Sequence, residues 1–527
     1  MGLASGNQVG ERLQLCVFDL RRGQLEGQEL DKILFFYPQD LPFATQLSVI
    51  GLSEGLITFT RMFSPEEACE IIEAEKHSHV FYEAETDIWM VMVVDKHNES
   101  QWRFDALRKV LKEIHSLFMM FHGTMRAMLE REPNGALVRS HLHAFIVNYL
   151  GVFMKQCAWD NCCCSSAEDV LVGKKLLLPS FSDSLKERGT VQMLSVGRDA
   201  AFEIQSLARV LESCAGVSHC FSMILFQDLL ISTTLSPEDT INLFTYAIQR
   251  LTPQALSTGT SSWSYLRKGS GSIHATGGIT SSSSDLSAQD VLNSRDTTSN
   301  NPINNDVTRP LQRGGWSKGK DGFLITDIWG SDPGSLNFAT PTIWLRQTGE
   351  KMYLCVYQFK FLTSILLFPV SSVPNGEQGI SFVKKQILGS EASHKMLKVE
   401  EKLTRGWGGH NAYHVSGYRY LLIDNDRNVS RASPPEKVAT LTKESLLAMS
   451  KLREEVDLEK SRNKDNGAYD KELEICIRVK NNAWVIARST RGKDLYIVLE
   501  KANETLLYAS DAVEKFNVRY CGGTFST

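Results

Sequence analysis

The sequence lacks any apolar run of the ~20 residues that a membrane-spanning helix requires. Its longest candidate, residues 142–154, is broken by His143 and Asn148, so no transmembrane helix is expected. An excess of one charge is missing too: 57 Lys and Arg stand against 61 Asp and Glu, a formal net charge of -4. That balance excludes whole-chain attraction for nucleic acid or anionic lipid and leaves only local patches. The opening MGLASG has neither a basic start nor an apolar stretch, so no secretory signal is expected, and Gly6 stands where a myristoylation motif wants Ser or Thr. The 11 cysteines are an odd number without secretory features, which predicts reduced cytosolic thiols and no disulfide framework. Cys16, Cys220, Cys355 and Cys476 fall in strand-like runs, where a thiol behaves as a small hydrophobe.

Catalytic signatures are equally scarce. There is no nucleophile elbow, no dinucleotide fingerprint between a strand and a helix, and no compact carboxylate pair. Gly314, Gly319, Lys320 and Asp321 approach a phosphate-binding loop, but Asp321 replaces the hydroxyl that would hold magnesium and sets negative charge beside phosphate. Cys157, Cys162, Cys163 and Cys164 crowd thiols together. Three adjacent cysteines cannot readily aim at one tetrahedral centre, so a loop after a helix is predicted there, with palmitoylation as the minor alternative. His410 and His414 lie among Gly406, Gly408 and Gly409; the glycines disfavour a helix and no Glu follows His410, which reads as a surface loop. His141 and His143 point in different directions on a helix and read as surface or packing residues. The expectation is a protein with no catalytic residue, no metal and no cofactor.

What is present is ample core material, 42% hydrophobic against 22% charged residues, in a chain long enough for three or four units at roughly 100–200 residues each. Strands at 13–20 and 32–38 precede a helix over 41–63 that ends at Ser64 and Pro65, and two more strands follow near 80–82 and 88–94. Phe104, Leu107, Val110, Leu111, Ile114, Leu117, Phe118 and Phe121 then recur at three-and-four spacing, the stripe of an amphipathic helix. Another helix spans 136–155. A second unit offers strand material at 220–233 and a helix from 236, with Ser236 as N-cap and Pro237 in the first turn. Residues 252–320, dominated by Ser, Thr, Gly and Asn, predict a disordered linker. Beyond it come successive antiparallel strands from 323, helices near 379–388 and 435–462 around a strand at 418–424, and two closing strands with a last helix. The fold class is therefore α+β, with units at 1–156, 157–251 and 321–527.

The helix over 41–63 is greasier than one stripe requires. At about 100° per residue, Phe43, Leu47, Ile50 and Ile57 fall on one arc and Val49, Leu52, Leu56 and Phe59 on another. Gln46, Ser53 and Thr60 border the arcs on one side, and Gly51, Gly55 and Thr58 on the other. If one arc packs on the domain's own sheet, the second needs a partner.

DKILFFYP from Asp31, GLITFTRMF from Gly55 and IWMVMVVD from Ile88 resemble the first longin domain of the CCZ family, and the three-unit layout is similar to that family's tri-longin architecture. The resemblance implies three longin-like domains, with mostly antiparallel five-stranded sheets flanked by helices, and a heterodimer with a MON-family longin protein. It further implies exchange activity, only with that partner, on a late-endosomal Rab-seven-type GTPase at prevacuolar and vacuolar membranes. A longin adaptor without exchange activity is the alternative. Gln46, Val49, Leu52, Ser53, Leu56 and Phe59 are the candidate GTPase or partner contacts, and Lys384 and Lys385 the candidate contacts to acidic or phosphoinositide lipid.

Overall fold

The runs LQLCVFD and IWMVMVVD carry apolar side chains at nearly every position, so strands made from them must be covered on both faces. The computed structural model describes residues 13–64, 69–95 except 76, 104–162, 189–252 except 195, 197, 217 and 218, 316–326, 340–408 except 374 and 375, 418–433, 442–465, 472–499 except 481 and 491, and 505–520. In it these runs are β1 (Leu13–Asp19) and β5 (Ile88–Asp95), inner strands of an antiparallel sheet. The order is β2-β1-β5-β4-β3, with β2 Ile33–Tyr37, β3 Ile71–Glu73 and β4 His77–Glu85. Cys16, Phe18, Trp89, Val91 and Val93 face α1 (Phe43–Phe63). Leu15, Val17, Met90 and Met92 face α2 (Phe104–His122), and their core extends to α3 (Met125–Arg131) and α4 (Ala136–Cys162). The predicted stripe of α2 is buried from Leu107 to Phe121. At the corner, the Glu85 carboxylate accepts from the backbone N–H groups of Met125 and Arg126 at 2.7 and 2.8 Å, which satisfies donors left open at the start of α3.

Histidines line the seam between α2 and α4, where His122 and His141 are half-buried and His143 is exposed. The His122 ring lies 4.6 Å from that of His141, and His143 meets Phe35 edge-on at 6.4 Å. Burial, reinforced by His141, pulls the His122 imidazole from 6.5 down to about 3. The unfolded chain therefore takes up this proton at a higher pH than the folded one, and stability falls as pH drops below 6.5 toward about 3. Between pH 7 and pH 4 we expect this residue to remove about 3 kcal/mol from the unfolding free energy. Urea denaturation across that range would show it, and His122→Phe is expected to flatten the pH dependence; an unchanged slope would refute the assignment.

The second sheet corrects the expected domain boundaries. It contains β7 (Phe221–Phe226), β8 (Leu229–Thr233), β11 (Thr342–Trp344), β12 (Lys351–Phe359) and β13 (Leu362–Pro369), in the order β11-β12-β13-β7-β8. β7 pairs with β13 from Phe226↔Leu362 to Phe221↔Leu367, so the strands assigned to the third unit complete the second. The cause is elementary: the β7–β8 hairpin is apolar on both faces and too small to stand alone. Of residues 252–320, read as a disordered interdomain linker, 316–318 form a strand of their own, and 253–315, which lie outside the described residues, instead interrupt one domain. On either side of that interruption, the indole of Trp316 donates to the Tyr246 hydroxyl at 2.8 Å.

α5 (Arg198–Cys214), α7 (Glu377–Ile387) and α8 (Ser390–Gly408) cover one face of this sheet. α8 was not predicted, and it runs through Gly406 and Gly408, the glycines read as opposing a helix. The other face merges with the first unit through α2 and α6 (Pro237–Arg250), where Phe121 meets Tyr246 edge-on at 4.7 Å. Of the near phosphate-loop, Gly319, Lys320 and Asp321 form a hairpin turn between β9 (Trp316–Lys318) and β10 (Leu324–Thr326), in which Asp321 accepts from the Phe323 N–H, while Gly314 lies outside the described residues. Cys157 and Cys162 belong to the end of α4, not to a loop, while Cys163, Cys164, His410 and His414 lie outside the described residues.

The third sheet is six-stranded, in the order β16-β17-β18-β14-β15-β6. Its members are β6 (Val191–Gln192), β14 (Tyr418–Asp424), β15 (Val429–Ala432), β16 (Leu473–Arg478), β17 (Trp484–Thr490) and β18 (Lys493–Leu499). α9 (Lys443–Asp465) covers one face through Met449, Leu452 and Val456, and α10 (Leu506–Tyr520) the other through Ala509, Ala512, Val513 and Phe516.

Candidate partner interface on the first helix

The surface of interest is built on α1, the helix packed on the outer face of the first sheet. Its inward row is Gln46, Ile50, Ser53 and Ile57, spaced four, three and four apart as a single helical face demands. Two of these are polar yet buried, Gln46 at 5% and Ser53 at 0% exposure. Each supplies its own hydrogen bond locally: the Gln46 amide donates to the Leu41 carbonyl at 2.8 Å, and the Ser53 hydroxyl to the Val49 carbonyl at 2.9 Å. Thr60 likewise donates back to Leu56 at 3.0 Å.

This placement corrects the expected pair of arcs. Gln46 and Ser53, chosen as contact residues, are covered by the protein's own sheet. Val49 and Leu56 are partly covered by the same core. Leu52 and Phe59 point outward, 54% and 59% exposed. Phe43, placed on the same arc as Ile50 and Ile57, is exposed at the start of the helix. The outward face continues into Met62 and Phe63, exposed by 76% and 73%, with the Phe59 and Phe63 rings 4.8 Å apart. Those two had not been singled out, although the helix end at Ser64 and Pro65 leaves them in a last turn with little sheet beneath.

Gly51 and Gly55 lie on the same outward face, and a Cβ built on either would meet nothing within 4 Å. The backbone is therefore bare between Leu52 and Phe59, where another helix could approach closely. Charge is held to the flanks. The only ionisable residues of α1 are Glu54 and Arg61. Lys32 pairs with Glu54 at 2.7 Å, whereas Arg61 reaches Glu83 at 3.1 Å and Asp87 at 3.5 Å and lies 5.3 Å from the centre of the Trp89 ring. These partners anchor the helix on its sheet and leave an outward strip without charge. Contiguous exposed apolar surface of this kind marks a site of association.

Residues 13–123 match the model for the first longin domain of INTU, CCZ1 and HPS4. Over 529 residues the chain is 63% identical to vacuolar fusion protein CCZ1 homolog B of Arabidopsis thaliana, covering 100% of this chain and 99% of that one. The chain belongs to the CCZ1 family. The CCZ1 homolog of Oryza sativa subsp. japonica is 56% identical over 530 residues, 100% of each chain. That of Dictyostelium discoideum is 21% identical over 522 residues, with 96% and 95% covered. Family membership places the protein in vacuolar membrane traffic, and the first unit is a longin domain. Among the described residues no helix is long and apolar enough to cross a membrane.

The lysines proposed to meet lipid behave unequally. Lys384 lies on α7 with its ammonium 5.6 Å from the centre of the Phe323 ring, so part of its charge is engaged within the protein. Lys385 is exposed. A single exposed lysine does not make a lipid site.

Proposed function

We propose that the chain is one half of a heterodimeric guanine-nucleotide exchange factor, in which the outward face of α1 packs against the longin domain of a MON-family partner. The pair then presents a platform to a Rab-seven-type GTPase on late-endosomal or prevacuolar membranes. The observation that carries this reading is the uncharged strip of Leu52, Phe59, Met62 and Phe63 beside the bare backbone of Gly51 and Gly55, on a longin domain of a vacuolar fusion family. Such a factor breaks no covalent bond. It binds the empty GTPase more tightly than the loaded one, and by reciprocity it weakens nucleotide binding by the same ratio.

The test is release of labelled GDP from the GTPase. Mixing the chain with the MON-family partner is expected to accelerate release at least about tenfold, a barrier reduction of ~1.4 kcal/mol, while either protein alone has no effect. Unchanged release would overturn the exchange reading. If the pair also retained loaded and empty GTPase equally on beads, it would be an adaptor.

A further inference from the structure

Among the described residues, a short segment pairs the third unit with the second. Residues 190–194 run between β8 and β15 and bond to both. On one side, the N–H of Val191 donates to the Asn428 carbonyl at 2.8 Å and that of Met193 to the Ser430 carbonyl at 3.0 Å. On the other, the N–H of Leu194 donates to the Leu230 carbonyl at 2.9 Å, and Met193 pairs in parallel with Leu230. Thr190 and Ser430 add a hydroxyl-to-hydroxyl bond of 3.2 Å. The side chains also divide: Val191 enters the core shared by the first two units, and Leu194 the core beneath α5, α7 and α8. A hydrogen-bonded ladder thus runs from β11 through this segment to β16.

The apolar cores do not follow the ladder. Among the described residues, the two clusters of the third unit contain nothing from residues 13–408, and the clusters of the first two units contain nothing from residues 418–520. The second and third units are therefore joined by backbone pairing with no common core, whereas the first and second share one.

We propose that residues 190–194 are a splice strand that docks the third unit on the second, and that this docking can be released without unfolding either. Hydrogen bonds between two separately packed bodies open at less cost than those within a core, because opening exposes little apolar surface.

Met193→Pro in the full-length chain removes the N–H that meets Ser430. In hydrogen exchange, the Ser430 amide, the one in β15 that faces this segment, is expected to lose protection by about tenfold or more while the amides of β7 and β13 keep theirs. Adding Thr190→Cys with Ser430→Cys and oxidising the pair is expected to restore protection at position 430, because those two side chains already touch. Unchanged exchange at position 430 in Met193→Pro would overturn the proposal, and so would loss of protection that spreads to β7 and β13 or a variant that fails to fold, since docking and folding would then be one event.

Discussion

Replacing Leu52 and Phe59 together by Asp is expected to abolish capture of the MON-family partner, and GDP release with it, while the melting temperature of the chain stays within a few degrees of the parent. Both side chains are more than half exposed, so the folded chain loses little when they become polar. In a complex the same carboxylates would enter an apolar interface without counter-charge, which costs several kcal/mol. Affinity should fall by more than about a hundredfold. The glycines sharpen the test because their two effects have opposite signs. Gly51→Ala and Gly55→Ala each remove backbone freedom from a helix interior and add a methyl where nothing lies within 4 Å, so each should stabilise the chain by roughly 0.5–1 kcal/mol. Yet those methyls fill the bare strip and should weaken partner binding. A chain that melts higher and binds worse is hard to explain by damage to the fold. Ser53→Asp makes the contrast: it buries a carboxylate against the chain's own sheet, and its loss of binding would come with loss of stability. Parental affinity in the Leu52 and Phe59 double variant would remove α1 from the interface.

The second large effect concerns the interrupted domain. A fragment ending at residue 252 is expected to leave its second unit unfolded, because β7 loses β13 along one whole side and the apolar faces of β7 and β8 lose the strands that complete their layer. Supplying residues 316–527 in trans should restore it. By the same reasoning, replacing residues 253–315 in the intact chain with a short Gly/Ser linker should shift stability by less than about 1 kcal/mol, since lengthening or shortening a connection changes closure entropy only slowly. Urea denaturation followed by fluorescence would measure both. A cooperative second unit in the fragment alone would show that β11, β12 and β13 are dispensable, against the sheet order seen here.

How much could be read without coordinates differs from element to element. The stripe of α2 was legible because its buried positions, His115 apart, are apolar and repeat at the helical period. The inward row of α1 was not, because Gln46 and Ser53 are buried polar residues whose hydrogen bonds close within a few residues of the chain. Periodicity places them on a face but cannot say that the face is covered. α8 was not predicted, although Ala392, Met396, Val399 and Leu403 recur at helical spacing and pack it on the second sheet. Tertiary packing outweighs the roughly 1 kcal/mol penalty for glycine in a helix.

By itself, the sequence determined that this is an α+β protein of several units, with two-sided sheets and a first helix carrying more apolar surface than one stripe. Those are consequences of local pattern, since strand alternation and helical period are set by backbone geometry that every residue carries. Only the tertiary structure decided which strands share a sheet, that residues 253–315 fall inside a domain, that Leu52 and Phe59 face outward while Gln46 and Ser53 face inward, and that residues 190–194 join two sheets. Each of these depends on pairing between residues far apart in the chain, and a strand's hydrogen-bonding edges are the same whichever partner they meet.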